Sequence, residues 1–237
     1  MIGPLVPLDD VPGWLRPLVG NSSGLDSSAF TRLRPPPGAA ARPAAVLVLF
    51  GDDSPASAGP DVLLQRRADT LDSHAGQVSF PGGGAEDGDD GPVATALREA
   101  EEETGVDPAG VEPLALLPDL YVPVSNFAVT PVLAHWHRTS PVHAVDPGET
   151  AVVARVPIAE LVDPRNRFQV RIPGRDWTGP AFAAGGLFVW GFTAGLLAVL
   201  LRLGGWEREW DSQDVRDLDV ALSEHEERAR AVGRRGE

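Results

Sequence analysis

The chain of 237 residues has the length of one large domain or two small ones, and its hydrophobic content of 43% suffices for a sizeable core, which excludes a wholly disordered protein. All 20 basic residues are arginines and 34 residues are acidic, so the net charge of −14 argues against a dedicated nucleic-acid-binding protein. The chain has no cysteine and no lysine, which excludes disulfides, thiolate chemistry and Schiff-base catalysis.

The first 43 residues are rich in Pro, Gly and Ser. We predict a short helix at 11–18, followed by an extended linker, because the prolines at 35–37 are incompatible with a helix. Prolines and an acidic pair interrupt the first ten residues, which therefore do not resemble a secretory signal. We expect an N-terminal extension at 1–43 and a cytoplasmic location.

Short apolar runs separated by turn residues follow the linker and predict buried β-strands. These runs are 44–50, 61–65, 114–117, 128–134 and 151–156. Among them, residues 92–104 predict a helix. Asp89 and Asp90 can cap this helix, Pro92 suits its first turn, and Gly105 can end it. Strands grouped around one such helix indicate an α/β fold.

Residues 181–201 are almost entirely apolar and reach the length of a membrane span. Four glycines and the lack of a flanking basic cluster favour a strand at 187–190 and then a buried helix at 192–203, with a membrane-anchored protein as the alternative. The charged residues that follow predict a solvent-exposed helix, and we assign 206–237 to a C-terminal tail.

Three glutamates of the segment REAEEETG, residues 98–105, share one face of the predicted helix. They are Glu99, Glu102 and Glu103, whereas Glu101 points away. No basic residue lies at the spacing that best relieves Glu99 and Glu103, so a divalent cation would offset their repulsion. Carboxylate ligands without cysteine or nearby histidine favour Mg²⁺ or Mn²⁺ over zinc. The alternative is a solvated acidic face, and in both cases we expect the three side chains to be presented rather than buried.

A run of three glycines before this helix lets the backbone turn and approach a ligand closely. The whole segment resembles the Nudix hydrolase family, whose box reads G-x5-E-x7-R-E-U-x-E-E-x-G-U, where U is aliphatic. The second half of the box is filled by Arg98, Glu99, Ala100, Glu102, Glu103, Gly105 and Val106. Counted from Gly84, Asp90 takes the place of the first box glutamate. Counted from Gly83 with one inserted residue, Asp89 takes that place.

The residues before the box resemble the coenzyme A pyrophosphatases of this family, whose pattern is L-L-T-x-R-[SA]-x3-R-x3-G-x3-F-P-G-G. The matching residues are Leu63, Leu64, Arg67, Ala68, Gly76, Phe80, Pro81, Gly82 and Gly83. Gln65 stands in place of the threonine and Asp72 in place of the second arginine, whose contact is therefore missing or supplied by Arg66. The similarity extends through 189–197, which argues against a membrane span, and we assign 44–205 to the Nudix domain.

The resemblance implies a Nudix α/β/α sandwich, in which a mixed β-sheet lies between helices. It also implies hydrolysis of the pyrophosphate bond of coenzyme A or its thioesters, giving 3′,5′-ADP and 4′-phosphopantetheine or its acyl derivative. The implied ligands of the Mg²⁺ or Mn²⁺ ion are Glu99, Glu102, Glu103 and the carbonyl of Gly83, with Arg98 orienting the glutamates. Hydrolysis of ADP-ribose, NADH or a nucleoside triphosphate remains an alternative, as does a non-catalytic nucleotide-binding module.

Further candidate residues lie outside the acidic helix. The candidates for substrate binding are Arg67, Arg66, His74 and Gly82. Glu149 is a candidate second base or metal ligand, although it can also simply begin a strand. Arg67 can instead pair with a nearby aspartate, and His74 can be an ordinary loop residue. We expect a small nucleotide-like substrate and no nucleic-acid or membrane partner, and leave a homodimer open as the assembly.

Overall fold

The computed structural model describes residues 2–31, 33, 35, 40–53, 59–71 and 73–233. Residues 32, 34 and 36–39 of the predicted linker, and Asp72, lie outside these residues. Within them, the chain forms two β-sheets and five α-helices. The helices are α1 (Arg16–Ser22), α2 (Pro92–Thr104), α3 (Ile158–Leu161), α4 (Gly191–Leu203) and α5 (Leu218–Gly233).

A mixed sheet of nine strands forms the centre of the fold. Its strands are β1 (Gly3–Pro4), β2 (Arg42–Gly51), β3 (Asp61–Arg67), β4 (Val78–Ser79), β5 (Gly82–Gly84), β6 (Val111–Leu116), β7 (Leu120–Val122), β8 (Phe127–Trp136) and β9 (Thr150–Pro157). The main order is β1-β6-β8-β2-β3-β4, with β5 paired to β2, β7 to β8 and β9 to β3. Strands β2 and β8 run parallel, and their neighbours pair antiparallel. All strands predicted from the apolar runs are confirmed.

Side chains of β2 alternate between the two faces of this sheet, as the pleat requires. Leu47 and Leu49 belong to the apolar cluster that includes the inner face of α2. Val48 and Phe50 belong to the cluster on the opposite face, which includes α4 and the residues around α1. Helices therefore cover both faces, and the predicted α/β/α sandwich with a mixed sheet is confirmed.

A second sheet of four strands follows in the chain. Its strands are β10 (Arg167–Arg171), β11 (Thr178–Ala184), β12 (Leu187–Val189) and β13 (Val215–Asp217), in the order β12-β11-β10-β13. Strands β10 and β13 run parallel. One apolar cluster joins this sheet to α5 and consists of Phe168, Val170, Ala181, Phe188, Leu218 and Ala221. The segment predicted as a charged tail thus contributes a strand and one buried helix face.

The long apolar stretch at 181–201 contains the predicted strand and helix, as β12 and α4, and begins with the end of β11, which was not predicted. Helix α4 packs in the large cluster on one face of the central sheet, with Leu197 and Leu200 each 1% exposed. No helix in the described part of the chain combines the length and the apolar character of a membrane span.

The N-terminal helix lies further along the chain than predicted, because α1 begins at Arg16. Pro17 has no N–H group and therefore suits only the first turn of a helix. The preceding residues form turns instead, in which the N–H of Leu15 donates to the carbonyl of Pro12 at 2.8 Å. Leu15 is fully buried, and β1 pairs with β6, so the N-terminal segment belongs to the main core.

Candidate active site

The glycine strand β5 lies against both β2 and α2, with no room for a side chain at Gly82 or Gly83. Gly83 pairs with Ala45 of β2, and a Cβ atom at Gly83 would lie 2.5 Å from Oε1 of Glu99. At Gly82, which has φ of 153°, a Cβ atom would lie 2.3 Å from the carbonyl oxygen of Ala45. Glycine at both positions therefore allows the strand to pair with β2 while the carboxylate of Glu99 rests against it.

Glu103, in the last turn of α2, is buried, with 7% of its side chain exposed. Its Oε2 accepts hydrogen bonds from the N–H of Gly82 at 2.8 Å and from Nε2 of Gln65 at 2.5 Å. Burial raises the pKa of Glu103 to about 7, against the lowering effect of these two hydrogen bonds. The expectation that all three glutamates are presented rather than buried is therefore wrong for Glu103, because β3 and β5 supply polar partners inside the fold.

Arg98 uses all five N–H groups of its guanidinium. Its Nε and Nη2 donate to the two oxygens of Asp89 at 3.1 and 3.0 Å, and Nη2 also donates to the carbonyl of Gly84. Its Nη1 donates to Oε1 of Glu99 at 3.0 Å and to Oε2 of Glu102 at 3.1 Å. Arg98 therefore offsets part of the charge of Glu99 although it does not lie at the favourable helical spacing, because its long side chain reaches two of the three glutamates.

Asp89 is a partner of Arg98 and not a helix cap. Its bonds to Arg98, together with one from the hydroxyl of Thr95 at 2.9 Å, hold the pKa of Asp89 well below its usual range. The N-cap position of α2 is Gly91, with φ of 84°, and no side chain caps the helix there. The prediction that Asp89 and Asp90 cap the helix is therefore wrong. Of the two aspartates, Asp89 is the one that contacts the box arginine.

Each box glutamate keeps one carboxylate oxygen to which no described residue donates a hydrogen bond. These atoms are Oε2 of Glu99, Oε1 of Glu102 and Oε1 of Glu103. An all-oxygen set beside the backbone of Gly83 has the donor chemistry that Mg²⁺ and Mn²⁺ prefer, so these residues fit such an ion. Among the described residues, no three acidic or histidine side chains are already gathered as a metal cluster.

Arg67 is brought to the box glutamates and Arg66 is not. Nη1 of Arg67 lies 3.8 Å from Oε1 of Glu103, which is too long for a hydrogen bond. The buried Nε of Arg67 has no hydrogen-bond partner within the described structure. Arg66, its neighbour on β3, pairs with Asp69 at 2.5 Å. The aspartate pairing that sequence allowed for Arg67 is thus made by Arg66, which leaves Arg67 with donors available to an anion.

The remaining candidates, His74 and Glu149, do not contact the box glutamates in the part of the chain described. His74 lies in a loop with φ of 57°, and its Nδ1 is 2.9 Å from Oε1 of Gln77. Glu149 is exposed and directly precedes β9, and its carbonyl accepts the N–H of Ala68 at 2.8 Å. Its side chain makes no hydrogen bond or ion pair with a described residue. A role for either residue stays a prediction.

Two residues that contribute to the site were missed from sequence. Gln65 donates to Glu103, and Oγ1 of Thr150 donates in turn to Oε1 of Gln65 at 3.2 Å. Gln65 had been noted only as a mismatch to the pre-box pattern. Its position at the end of the predicted buried strand, directly after Val62, Leu63 and Leu64, was the available signal, because a buried polar group needs a partner.

Comparisons with known proteins identify the family of this chain. A family model described as the NUDIX domain matches residues 40–177. The chain is 38% identical over 148 residues to the uncharacterized Nudix hydrolase NudL of Cronobacter sakazakii, which covers 61% of this chain and 76% of that protein. It is 36% identical over 151 residues to NudL of Escherichia coli K12, with the same coverage of 61% and 76%. A solved Nudix hydrolase of M. smegmatis, RenU, has 18% identity and a TM-score of 0.46 over 72% of this chain and 89% of that one. The matched domain spans more than half of the sequence, and the chain belongs to the Nudix hydrolase family.

Proposed function

We propose that this protein hydrolyses the pyrophosphate bond of coenzyme A or its thioesters, giving 3′,5′-ADP and 4′-phosphopantetheine or its acyl derivative. The observation that carries the proposal is the position of Arg67. The coenzyme A pyrophosphatase pattern contains this arginine, and its guanidinium lies 3.8 Å from Glu103 without a hydrogen bond to it. The side chain of Arg67 is 29% exposed and its Nη1 and Nη2 donate no hydrogen bond to a described residue, so these groups are available to a phosphate.

Glu99, Glu102, Glu103 and the carbonyl of Gly83 are the proposed ligands of one Mg²⁺ or Mn²⁺ ion. Nudix hydrolases generally use such divalent cations. When bound, the ion polarises the pyrophosphate and lowers the pKa of a coordinated water. The three carboxylate oxygens without hydrogen-bond donors support this assignment.

The other proposed roles follow from charge and position. Arg98 holds one oxygen of Glu99 and one of Glu102, which keeps the two carboxylates oriented and leaves one oxygen of each for the ion. A protein with a net charge of −14 repels an anionic substrate at long range, so local cationic groups have to bind it. We assign this binding to Arg67, with additional contacts from Arg66, His74 and the backbone of Gly82, and we keep Glu149 as a candidate second base.

A substrate panel tests the proposal. The purified chain is incubated with coenzyme A, acetyl-coenzyme A, ADP-ribose, NADH and nucleoside triphosphates in the presence of Mg²⁺, Mn²⁺ or EDTA, and products are identified by mass. We expect cleavage of coenzyme A into the two named products, abolished by EDTA. Cleavage of ADP-ribose or NADH alone would contradict coenzyme A as the substrate, while hydrolase activity itself would stand. No metal-dependent cleavage in the whole panel would favour the non-catalytic binding module.

A matched pair of variants tests the role of Arg67. We expect Arg67→Ala to raise KM for coenzyme A by about tenfold, the effect of one lost charge-assisted contact. Arg138→Ala is the control, since Arg138 is an exposed arginine paired with Asp107 at 3.3 Å. Equal KM values for the two variants would contradict the assignment of Arg67.

A further inference from the structure

A chain of hydrogen bonds links Glu103 to two residues of the central sheet. Oγ1 of Thr150 donates to Oε1 of Gln65 at 3.2 Å, and Nε2 of Gln65 donates to Oε2 of Glu103 at 2.5 Å. All three residues are buried, with Gln65 at 0% and Thr150 at 1% exposure. Thr150 is the first residue of β9, which pairs with β3, so two adjacent strands carry the partners of a helix residue.

The direction of these hydrogen bonds is determined by the chemistry of the groups. In the ionised form that binds a cation, the carboxylate of Glu103 only accepts hydrogen bonds, so Gln65 turns its amide NH₂ toward it. Its carbonyl oxygen then faces Thr150, whose hydroxyl is the donor. The two contacts together therefore specify one orientation of the Gln65 amide.

The same contacts make the two oxygens of Glu103 unequal. A carboxylate oxygen has about two lone-pair positions, and Oε2 accepts two donors, Nε2 of Gln65 and the N–H of Gly82. Oε1 receives no hydrogen bond from the described residues, and Arg67 stays 3.8 Å from it. Oε1 is thus the oxygen left for a ligand.

We propose that Gln65 and Thr150 are positioning residues that hold Oε2 of Glu103 and thereby reserve Oε1 for the cation, so that Glu103 binds it through one oxygen. This inference rests on one part of the proposed function, the binding of a divalent ion by the box glutamates. Partners of a ligating carboxylate restrict its rotation, and their loss typically weakens metal binding by ten- to a hundredfold. Gln65 makes this contact at the position where the related pattern has a threonine.

The test measures Mn²⁺ affinity of the full-length chain by electron paramagnetic resonance, without substrate. Gln65→Met keeps the length of the side chain and removes its donor, and we expect Kd to rise about tenfold. Thr150→Val keeps the shape of the side chain and removes the hydroxyl. We expect the Kd for Mn²⁺ to rise about threefold, because the hydrogen bond from Gln65 to Glu103 remains. Thr150→Ser restores the hydroxyl and should recover most of the affinity.

The control is Thr193→Val, which removes a buried hydroxyl that donates to the carbonyl of Val78 at 2.9 Å. Wild-type affinity in both Gln65→Met and Thr150→Val would overturn the inference. An equal loss in Thr193→Val, or a wild-type chain that binds no Mn²⁺, would overturn it as well. The binding measurement contains no substrate. If the Mn²⁺ affinities follow the expected order but the protein does not cleave coenzyme A, the result counts against the proposed function alone.

Discussion

Two arginine–carboxylate networks lie at opposite ends of β3 and differ in how completely their charges are paired. At the first residue of the strand, Nε of Arg155 lies 3.0 Å from both oxygens of Asp61, and Nη2 bonds Asp53 at 3.1 Å. Its guanidinium also lies over the ring of Trp136, 4.8 Å from the centroid. Both oxygens of Asp61 accept hydrogen bonds from Arg155 and the residue is fully buried, so neither oxygen is open to a ligand.

At the other end of β3, four carboxylates, those of Asp89, Glu99, Glu102 and Glu103, face two arginines, Arg67 and Arg98. Arg98 has given all of its N–H groups, yet Glu99, Glu102 and Glu103 each keep one oxygen without a donor among the described residues. Water or a cation can satisfy those oxygens. Unused acceptors, rather than the number of charges, therefore distinguish the proposed ligand-binding network from the one around Asp61.

The largest effect is expected from neutralising Glu103, the buried glutamate of the network that keeps unused carboxylate oxygens. Glu103→Gln should lower kcat/KM by about 1000-fold, because the amide removes the charge that faces the ion. Steady-state assays with the substrate identified by the panel measure this loss. Glu101→Gln, an exposed residue on the other side of the same helix, is the control and should change little. Turnover of Glu103→Gln within tenfold of wild type would contradict the metal assignment.

Breaking the network of Arg155, Asp61 and Asp53 should lower the stability of the protein and leave its activity unchanged. Asp61→Asn leaves the guanidinium of Arg155, 14% exposed, without its full countercharge, and we expect the free energy of unfolding to fall by about 4 kcal/mol. Urea unfolding measures this change. Asp107→Asn, in an exposed pair with Arg138, should lower it by less than about 1 kcal/mol. A large loss of Mn²⁺ affinity in Asp61→Asn would break the distinction between the two networks.

The pKa of Glu103 gives the metal-free protein a pH-dependent stability. The folded pKa of about 7 exceeds the ordinary value of 4.5, so between these values the folded state binds more protons than the unfolded state. The free energy of unfolding should therefore fall as pH rises from about 4.5 to about 7, by up to about 3 kcal/mol. Thermal unfolding in EDTA measures this slope, which Glu103→Gln should reduce. An identical slope in that variant would show that other groups cause it.

The smallest effect on activity is expected from disturbing the contact between strand β5 and the carboxylate of Glu99. Gly83→Ala places a Cβ atom 2.5 Å from Oε1 of Glu99, so this side chain has to move, and we expect kcat/KM to fall by about tenfold. The matched control is Gly195→Ala in α4, where an added Cβ atom meets nothing within 4 Å and alanine favours the helix. Equal activity of the two variants would show that the close approach of Glu99 to β5 is not required.

Local chemistry explains which elements could be predicted from sequence. Helix α2 has the predicted bounds, because Pro92 begins it and Gly105, with φ of 69°, ends it. The buried strands were readable because their apolar runs lie between turn residues. Strands β10 and β13 were not, since they are short and the register joins Gln169 to Val215 across a long sequence separation. Periodicity carries no information about such partners.

The acidic site shows the same limit. The box pattern identified the glutamates, and the structure places Glu99 and Glu103 against the glycine strand. Their burial and pairing depend on contacts that no local pattern encodes. Gln65 reaches Glu103 across 38 positions of sequence, and Asp89 meets Arg98 instead of capping the helix. Which oxygen stays free is therefore a property of the tertiary structure.

The parallel pairing of β10 with β13 has a consequence for synthesis of the chain. Until residues 215–221 have left the ribosome, the face of the second sheet that packs against α5 is uncovered. A nascent chain paused before that point would expose Phe168, Val170 and Phe188, which are buried in the finished fold. Exposed apolar strands of this kind are the surfaces that chaperones bind and through which incomplete chains aggregate. The yield of folded protein should therefore depend on this late segment, far from the chemistry of the glutamates.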